Sequence, residues 1–464
     1  MIGPHLFFCA RSNPPLNTAP PSTSLSEEPV TVSRVFRLWL PLAASWMLMG
    51  VEIPMLTAFV ARLPEEGIQL AAYGSVAFAI ALVIEGPIIQ LLAASTALCG
   101  DWDSFVKVRR FMYVSAAALT VLHVGIAFSP VYDFIARTLL RVPEEIVEPG
   151  RLGLQLLTPW TASIAYRRFY QGVLIRFERS KMVGVGTAIR LVALTSSLAV
   201  GSALAYYDVW PIPGVAVGAA AVSIAVISEA AFIGWITKPV LADRLHGTGT
   251  ANPPLTRSKF FSFYTPLALM PLLTLVIQPT GSAAMSRMPS AMESLAAWPV
   301  VHGLLFLIRS TGFALNEVVV ALLGKPNAYP ALRRFTWMLA ASTSGFLLLF
   351  ALSPLSDFWF RTISDLEPHL VEFCTVALLI GVLMPAYQVL QSWFGGMLVH
   401  ARKTRGITEA VAIYVVIAVV GLTAAAKLSP WPGVYVALSI FVTGGICQTA
   451  WLAWRAHQHA GSPK

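Results

Sequence analysis

Long apolar runs separated by short polar loops recur from residue 34 to residue 455. LWLPLAASWMLMGVEIPMLTAFVA (38–61), FMYVSAAALTVLHVGIAF (111–128) and EAVAIYVVIAVVGLTAAA (409–426) are each about as long as a hydrocarbon core requires of a helix. Allowing for Pro and Gly interruptions, the pattern predicts helices near 35–61, 70–98, 110–132, 152–175, 183–205, 212–236, 260–284, 294–322, 332–353, 371–399, 408–427 and 432–454. The expectation is an all-α polytopic membrane protein of about twelve transmembrane helices.

Composition sharpens this. The chain has 464 residues, 56% hydrophobic and 12% charged, with a mean hydropathy of +0.69. A soluble globular domain carries about 25% charge, so half that value leaves too few polar side chains to cover a water-facing surface.

The formal charge of +9 would by itself point to a nucleic-acid or acidic partner, but its distribution points elsewhere. Lys107, Arg109 and Arg110, then Arg176, Arg179 and Lys181, then Lys238, Arg244, Arg257 and Lys259, fall in loops after even-numbered spans. Lys325, Arg333 and Arg334, and Arg402, Lys403 and Arg405, continue the series. The opposite loops hold Glu65, Glu66, Glu144, Glu145, Glu148, Asp208, Asp365 and Glu367. The positive-inside rule places both termini in the cytoplasm and absorbs the basic balance without a nucleic-acid partner.

Residues 1–33 read as a flexible cytoplasmic leader: RSNPPLNTAPPSTSLSEEPV (11–30) has little to bury. LFFCA, before it, is short and lacks the basic start of a signal peptide. Residues 241–258, with TGTG at 247–250, read as a linker, and 457–464 as a polar tail. Cys9, Cys99, Cys374 and Cys447 show no metal-like or paired spacing and take no redox role.

The two halves of the chain resemble each other. WLPLAA (39–44) matches YTPLAL (264–269), and LAAY (70–73) matches LAAW (295–298) at the same spacing. The register then slips by one: VRRF (108–111) meets LRRF (332–335), and SPVYDFIART (129–138) meets SPLSDFWFRT (353–362). FYQGVLIRFERSK (169–181) answers WFGGMLVHARKTR (393–405), and PGVAV (213–217) answers PGVYV (432–436). Such ordered matches mark a repeat. Each half, 34–240 and 259–456, contributes six helices, and an even number leaves the two lobes oriented in parallel. Two lobes facing a central cavity suit alternating access; a duplicated scaffold that transports nothing is the plain alternative.

A charge at the bilayer centre costs roughly 2.5–3.5 kcal/mol on insertion scales and faces protein or a wet cavity. Glu52 lies beside Pro54, and Glu85 precedes Gly86 and Pro87. Arg167 and Arg168 follow Pro159, while His302, Arg309, Asn316 and Glu317 share one span; Glu229 is a weaker candidate. After the slip, Glu85 and Arg309 occupy matching positions; before it, Ser310 matches Glu85. The expectation is that they meet across the cavity, as a latch or as an anion contact with a titrating neighbour. Salt-bridge scaffolding is the plainer role. Arg167 and Arg168 lie about 100° apart on a helix, so only one can face a ligand squarely. Gln155, Tyr166, Gln278, Gln388 and Gln391 are candidate polar lining. Pro54, Pro87, Pro159, Pro271, Pro279, Pro299 and Pro385 kink or end spans, which is tolerated beside protein or a cavity and not against lipid.

The chain lacks GxxxxGK[ST], HExxH and a nucleophile elbow. No enzyme activity, cofactor or metal is expected, and uphill movement would draw on an ion or substrate gradient.

LAAYG (70–74), the Gly-Pro of IEGP (84–87), LLTPW with the Arg-rich helix and KMVGVG (156–186) resemble the exporter superfamily that includes multidrug and toxic compound extrusion (MATE) proteins and polysaccharide and lipid flippases. Within it the sequence looks most like the progressive ankylosis family. The resemblance implies a MATE-like, V-shaped pair of lobes, and the expectation is a monomeric secondary transporter in a plasma or bacterial inner membrane. It also implies efflux of small anions of the pyrophosphate, nucleotide or citrate type, for which charge at membrane depth makes Arg309 and Arg167 or Arg168 the expected contacts. The alternative is a proton- or sodium-coupled exporter of cationic or amphipathic drugs centred on Glu52 and Glu85. A lipid-linked precursor flippase and a non-transporting membrane protein are further readings.

Overall fold

The structure is a computed structural model describing residues 29–460 apart from Ala61, Arg141, 208–211, 250–253, 275–276 and 364–367. Most of the expected leader, the last four residues of the tail, and Asp208, Asp365 and Glu367 lie outside the described residues, as do the side chains of Pro54, Gln278, Pro279 and Pro299.

The first half holds α1 (Val32–Val60) and α2, a column of Glu66–Ala71, Ala72–Ala77, Phe78–Ile89 and Leu91–Leu98. It continues with α3 (Trp102–Ala127), α4 (Val147–Leu156 and Thr158–Arg176), α5 (Ser180–Tyr206) and α6 (Gly214–Arg244). The second half holds α7 (Arg257–Thr274 and Ile277–Met285), α8 (Ala291–Phe313 and Leu315–Leu322) and α9 (Ala328–Leu352). It closes with α10 (Pro368–Ile380, Gly381–Leu383 and Met384–His400), α11 (Arg405–Leu428) and α12 (Gly433–Ala460). Among the described residues, nine helices are long and apolar enough to cross a membrane. The fold is all-α and polytopic.

Helix boundaries follow local chemistry. Asp101 caps α3 by accepting from the Ser104 N–H at 3.0 Å. Pro159 and Pro385 lie at the start of the last pieces of α4 and α10, where a missing N–H costs nothing.

The internal repeat is visible in the backbone. Glu65 and Ser290 have positive φ at matching turns, and so do Glu178 and Arg402. Gln69 accepts from the Val215 N–H at 3.1 Å, and its counterpart Ser294 accepts from Val434 at the same distance. The motif SPxxDF leads into a π-helix in both halves, at Phe134–Leu140 and Phe358–Ile363. A third π-helix, Ala72–Ala77, has no partner in the unbroken helix Ala291–Phe313. A π-bulge accommodates an extra residue within a helix, so it accounts for the slip in register. The slip therefore precedes Glu85, and Glu85 matches Arg309. The breaks at Gln90 and Ala314, five residues further on in each half, agree.

The halves are held by two equivalent clasps. Trp39 on α1 donates to the Thr311 carbonyl at 2.9 Å and stacks edge-on against Phe335 at 5.4 Å. Tyr264, its counterpart on α7, donates to the Pro87 carbonyl at 2.5 Å and packs edge-on against Phe111 at 4.9 Å. The first helix of each half thus crosses the second helix of the other. Gly86 lies in this contact: a Cβ there would come within 2.8 Å of the Leu272 side chain, which would have to shift.

This crossing corrects the expected meeting of Glu85 and Arg309. α1 and α7 occupy the seam between α2 and α8. Glu85 is buried in the field of Arg167, Arg168 and Arg190 from its own half, and Arg309 bonds Gln388.

The bonds and ring contacts between halves cluster toward the basic-loop end. There Glu178, in the turn between α4 and α5, binds Arg34 at 2.7 Å and also Lys325 of the second half. The Val30 N–H donates to the Pro326 carbonyl at 2.9 Å. One apolar core runs through the first half and across to α8, α9 and α10 at this end, while a second core fills the rest of the second half.

Burial pushes the Glu178 carboxyl up, but Arg34 and Lys325 outweigh it and hold the group below its usual 4.5. With a depressed folded value, the latch is complete above the unfolded carboxylate value and is lost as pH falls through the folded one. The melting temperature of the purified protein in detergent should fall more steeply below pH 4.5 than that of Glu178→Gln. Parallel slopes would show that the latch contributes no stability.

Candidate functional site

Arg167 and Gln171 stand four residues apart on α4, hence on one face. That face meets Glu229 of α6. Arg167 Nη1 lies 2.6 Å from Glu229 Oε2, Gln171 Nε2 donates to Oε1 at 2.9 Å, and Thr187 Oγ1 of α5 donates to Oε1 at 3.4 Å. One turn along α5, Arg190 pairs with Glu52 of α1, and its other nitrogen stands 3.8 Å from Glu229 Oε2. Glu52, Arg190, Glu229 and Arg167 therefore form one buried chain tying α1, α4, α5 and α6 together.

Sequence reasoning named Glu52 and Arg167, gave Glu229 the least weight and missed Arg190. The signal for Arg190 was present: a lone arginine well inside the apolar run MVGVGTAIRLVAL.

The chain is not saturated. Glu52 Oε1, Glu85 Oε1, Arg167 Nε, Arg168 Nε and Arg190 Nη1 are buried without a hydrogen-bond partner. A cavity of about 20 Å³ opens beside them, lined by Ser45, Trp46, Arg168, Gln171, Thr187 and Glu317 among others. Roughly 10–15 Å³ suffices for one water.

A larger cavity of about 300 Å³ lies between the halves. Trp46 and Phe313 supply aromatic walls, and Gln90, Asn316, Gln388, Gln391 and Gln448 supply neutral polar lining. Among the described residues, only Arg168, from α4, and Glu317, from α8, bring charge to its wall. The Arg168 guanidinium lies 5.6 Å over the Trp46 ring, and Glu317 Oε2 is buried and unpartnered.

The remaining expected residues sit around this cavity or away from it. Asn316 Nδ2 donates to the Ser392 carbonyl at 3.4 Å. Arg309 donates to Gln388 Oε1 at 2.8 Å and lies 5.7 Å over Tyr387. His302 stacks on Trp298 at 5.0 Å. Neither Glu85, Arg167 nor Arg309 lines the cavity, so two of the three expected anion contacts are engaged elsewhere. Gln155 reaches the Ala127 carbonyl at 3.3 Å, also outside the cavity. Among the described residues, no group of three His, Cys, Asp or Glu could hold a metal ion.

No family model matches the chain, and no curated protein does. Solved structures do. One described as the outward-facing conformation of a multidrug resistance MATE family transporter of the MOP superfamily aligns with a TM-score of 0.70 at 15% identity, covering 93% of this chain and 97% of that one. A mutant of a Vibrio cholerae MATE transporter gives 0.72 at 18%, covering 92% and 96%. A MOP superfamily transporter from Pyrococcus furiosus, whose description reports a binding pocket of reverse polarity suggesting a different function, gives 0.70 at 15%, covering 93% and 97%. The chain has the MATE fold. Nothing in these likenesses points to the ankylosis family.

Removing one partner from a buried ion pair costs about 3–5 kcal/mol, because the other charge is left uncompensated. The positions equivalent to Arg167 and Glu229 are Gln391 and Gln448, which join through Gln391 Nε2 at 3.3 Å. Arg167→Gln and Glu229→Gln should each lower the melting temperature sharply, and the double variant should recover most of the loss by copying that neutral pair. Unfolding curves of the four proteins in one detergent check this; a double variant as weak as the worse single would refute the pairing.

Proposed function

We propose that this chain is a secondary active exporter working by alternating access, with twelve spans in two six-helix lobes, 34–240 and 259–456. The linker 241–258 joins the lobes, the leader 1–33 and tail 457–464 flank them, and both termini are cytoplasmic in a plasma or bacterial inner membrane. With the basic loops inside, the clasps and the Glu178 latch close the cytoplasmic end, and the state is the outward-facing one. Rocking would open these contacts and close the opposite end. The chain acts as a monomer.

The substrate is an amphipathic organic molecule carrying a cationic group. The observation that carries this reading is the commitment of the arginines. Arg167 is held by Glu229, Arg190 by Glu52 and Arg309 by Gln388, while Glu317 lines a cavity walled by Trp46 and Phe313 and keeps one carboxylate oxygen buried without a partner. Aromatic faces and a carboxylate are what an organic cation needs in a partly dry site.

The coupling ion is the proton rather than sodium. Sodium wants several uncompensated oxygens, and arginines beside Glu52, Glu85 and Glu229 oppose it electrostatically. A proton arriving on Glu52 or Glu229 would free Arg190 or Arg167 and loosen the ties of α1 and α6.

Export of small anions keeps one observation in its favour, the presence of Arg168 in the cavity wall with its Nε buried and unpartnered. Proteoliposomes tested with organic cations, pyrophosphate, citrate and nucleotides under imposed proton and sodium gradients separate the readings. The expected result is proton-driven movement of organic cations, falling about tenfold in Glu317→Gln, as about 1.4 kcal/mol of lost binding would give. Gradient-driven flux of the anions alone would reverse the assignment.

A further inference from the structure

On the outer side of the second half, α7 and α11 leave an open groove of about 770 Å³ between them. Ser258, Phe261, Ser262, Thr265 and Leu269 line it from α7. Their spacing in threes and fours puts them on one helix face, and all five are exposed. Arg405, Thr408, Glu409 and Ala412 repeat that spacing on α11. Both helices start at the basic-loop end, so the groove runs from there into the membrane. From Ser258 to Leu269 is about 16 Å along a helix, roughly half of a hydrocarbon core of about 30 Å. The groove therefore spans one leaflet.

Its polar groups are laid out for a headgroup. Hydroxyls on other exposed helix faces donate to the carbonyl four residues back, as those of Ser228, Thr423, Ser439 and Thr443 do. Among the described residues, the hydroxyls of Ser258, Ser262 and Thr265 donate to no protein group. Thr404 and Thr408 donate at 2.6 Å to the Phe263 and Pro266 carbonyls and tie the two helices together along the groove. Charge at the mouth is positive. Glu409 accepts from Arg405 Nε at 3.1 Å, Trp451 Nε1 at 3.3 Å and Arg455 Nε at 2.9 Å, so its carboxylate is already compensated. The terminal guanidinium nitrogens of Arg405 have no protein partner among the described residues, on a side chain 87% exposed. Arg257, Lys259, Arg402 and Lys403 adjoin the two helix starts and form no ion pair among the described residues. Arg455 stacks on Trp451 and Trp454, an aromatic pair of the kind that marks the headgroup level.

We infer that this groove binds an anionic phospholipid of the cytoplasmic leaflet. Its phosphate lies between Arg405 and the Ser258 and Ser262 hydroxyls, its ester oxygens face Thr265, and an acyl chain runs against Leu269 and Ala412. The assignment rests on the orientation with basic loops inside and not on what is exported. A guanidinium fork suits phosphate oxygens, and basic side chains on the cytoplasmic side draw anionic lipids. A choline headgroup would instead bring its own cation against Arg405. The fold itself does not ask for these groups: the first half has Arg37 and Leu40 where Ser262 and Thr265 stand, and Gly184 and Val185 in place of Thr408 and Glu409. Position gives the lipid a consequence. Tyr264, on the buried side of the same stretch of α7, donates to the Pro87 carbonyl, so a lipid seated in the groove braces the helix that makes one of the two clasps.

The test is native mass spectrometry of the purified full-length protein in detergent, titrated with phosphatidylglycerol or phosphatidylcholine of identical acyl chains. Phosphatidylglycerol should bind with a Kd at least about fivefold lower, the preference that one well-placed basic residue supplies. Arg405→Gln should reduce that ratio to about twofold or less. Ser262→Ala combined with Thr265→Val should weaken phosphatidylglycerol about threefold or more through the lost hydrogen bonds. All three side chains are exposed, so these variants should fold. Lys181→Gln removes the equivalent charge from the first half and should leave the ratio unchanged. Equal binding of the two lipids, or equal losses in Lys181→Gln and Arg405→Gln, would overturn the site by reducing it to general surface charge. Displacement of bound phosphatidylglycerol by inorganic phosphate would overturn it too, by revealing an anion site that takes no acyl chain. Binding is read without transport, so failure here leaves the exporter proposal standing.

Discussion

A carboxylate at bilayer depth is stable only beside donors that the fold carries in with it, and the first half of this chain is arranged around that constraint. Glu229 is wholly buried and receives Arg167, Gln171 and Thr187, while Arg190 reaches toward it from its pairing with Glu52. Four helices are thereby fixed in azimuth as well as depth, since apolar packing alone lets a helix rotate in lipid-like surroundings more freely than a hydrogen-bonded ion pair does. Everything nearer the seam inherits that placement. With Arg167 turned inward, the 100° step along α4 delivers Arg168 to the inter-lobe cavity.

The seam itself follows from duplication. When the first helix of each half crosses the second of the other, one contact serves twice, and Trp39 with Phe335 and Thr311 is answered by Tyr264 with Phe111 and Pro87. Paired clasps at one end leave the other end free to separate, which is the mechanical requirement of a rocking pair. The Glu178 latch adds charge to the closed end at a place where water can replace it, so opening there breaks a partly solvated contact and not a buried one.

Depth was legible in the sequence; direction was not. Apolar run length located the helices, closely for 332–353 against Ala328–Leu352 and loosely for 110–132 against Trp102–Ala127. The repeat was legible too, because turns such as PGVAV and PGVYV carry their own geometry. The unpaired π-helix at Ala72–Ala77 then fixed a register that sequence matching left open between Arg309 and Ser310. Partnerships were a different matter. Residues on matching helices of a twofold pair need not face each other, and α1 and α7 stand between Glu85 and Arg309. Glu229 looked minor because its apolar span gave no hint that α4 and α5 would both aim donors at it. Pairing is a property of helix rotation, which a pattern of hydrophobic positions reports only for the lipid-facing side.

The repeat also supplies an internal comparison that bears on why the charges are there. At positions equivalent to Arg167 and Glu229, the second half joins Gln391 to Gln448 and to Thr449 at 3.2 Å, with no ionised group involved. Equivalent Arg190 and Glu52 are Tyr414 and Ile277, and both halves nonetheless build the same helical layout. A neutral amide pair is therefore sufficient to hold the fourth helix of a half against its sixth. The ionised version is the costlier one, because desolvating a carboxylate and a guanidinium offsets much of their attraction. Architecture does not require that cost, and the proposed export cycle gives the charge a use. Movement of a proton onto one of these carboxylates is such a process, since it converts the tight ionic arrangement of the first half into something closer to the neutral arrangement already present in the second.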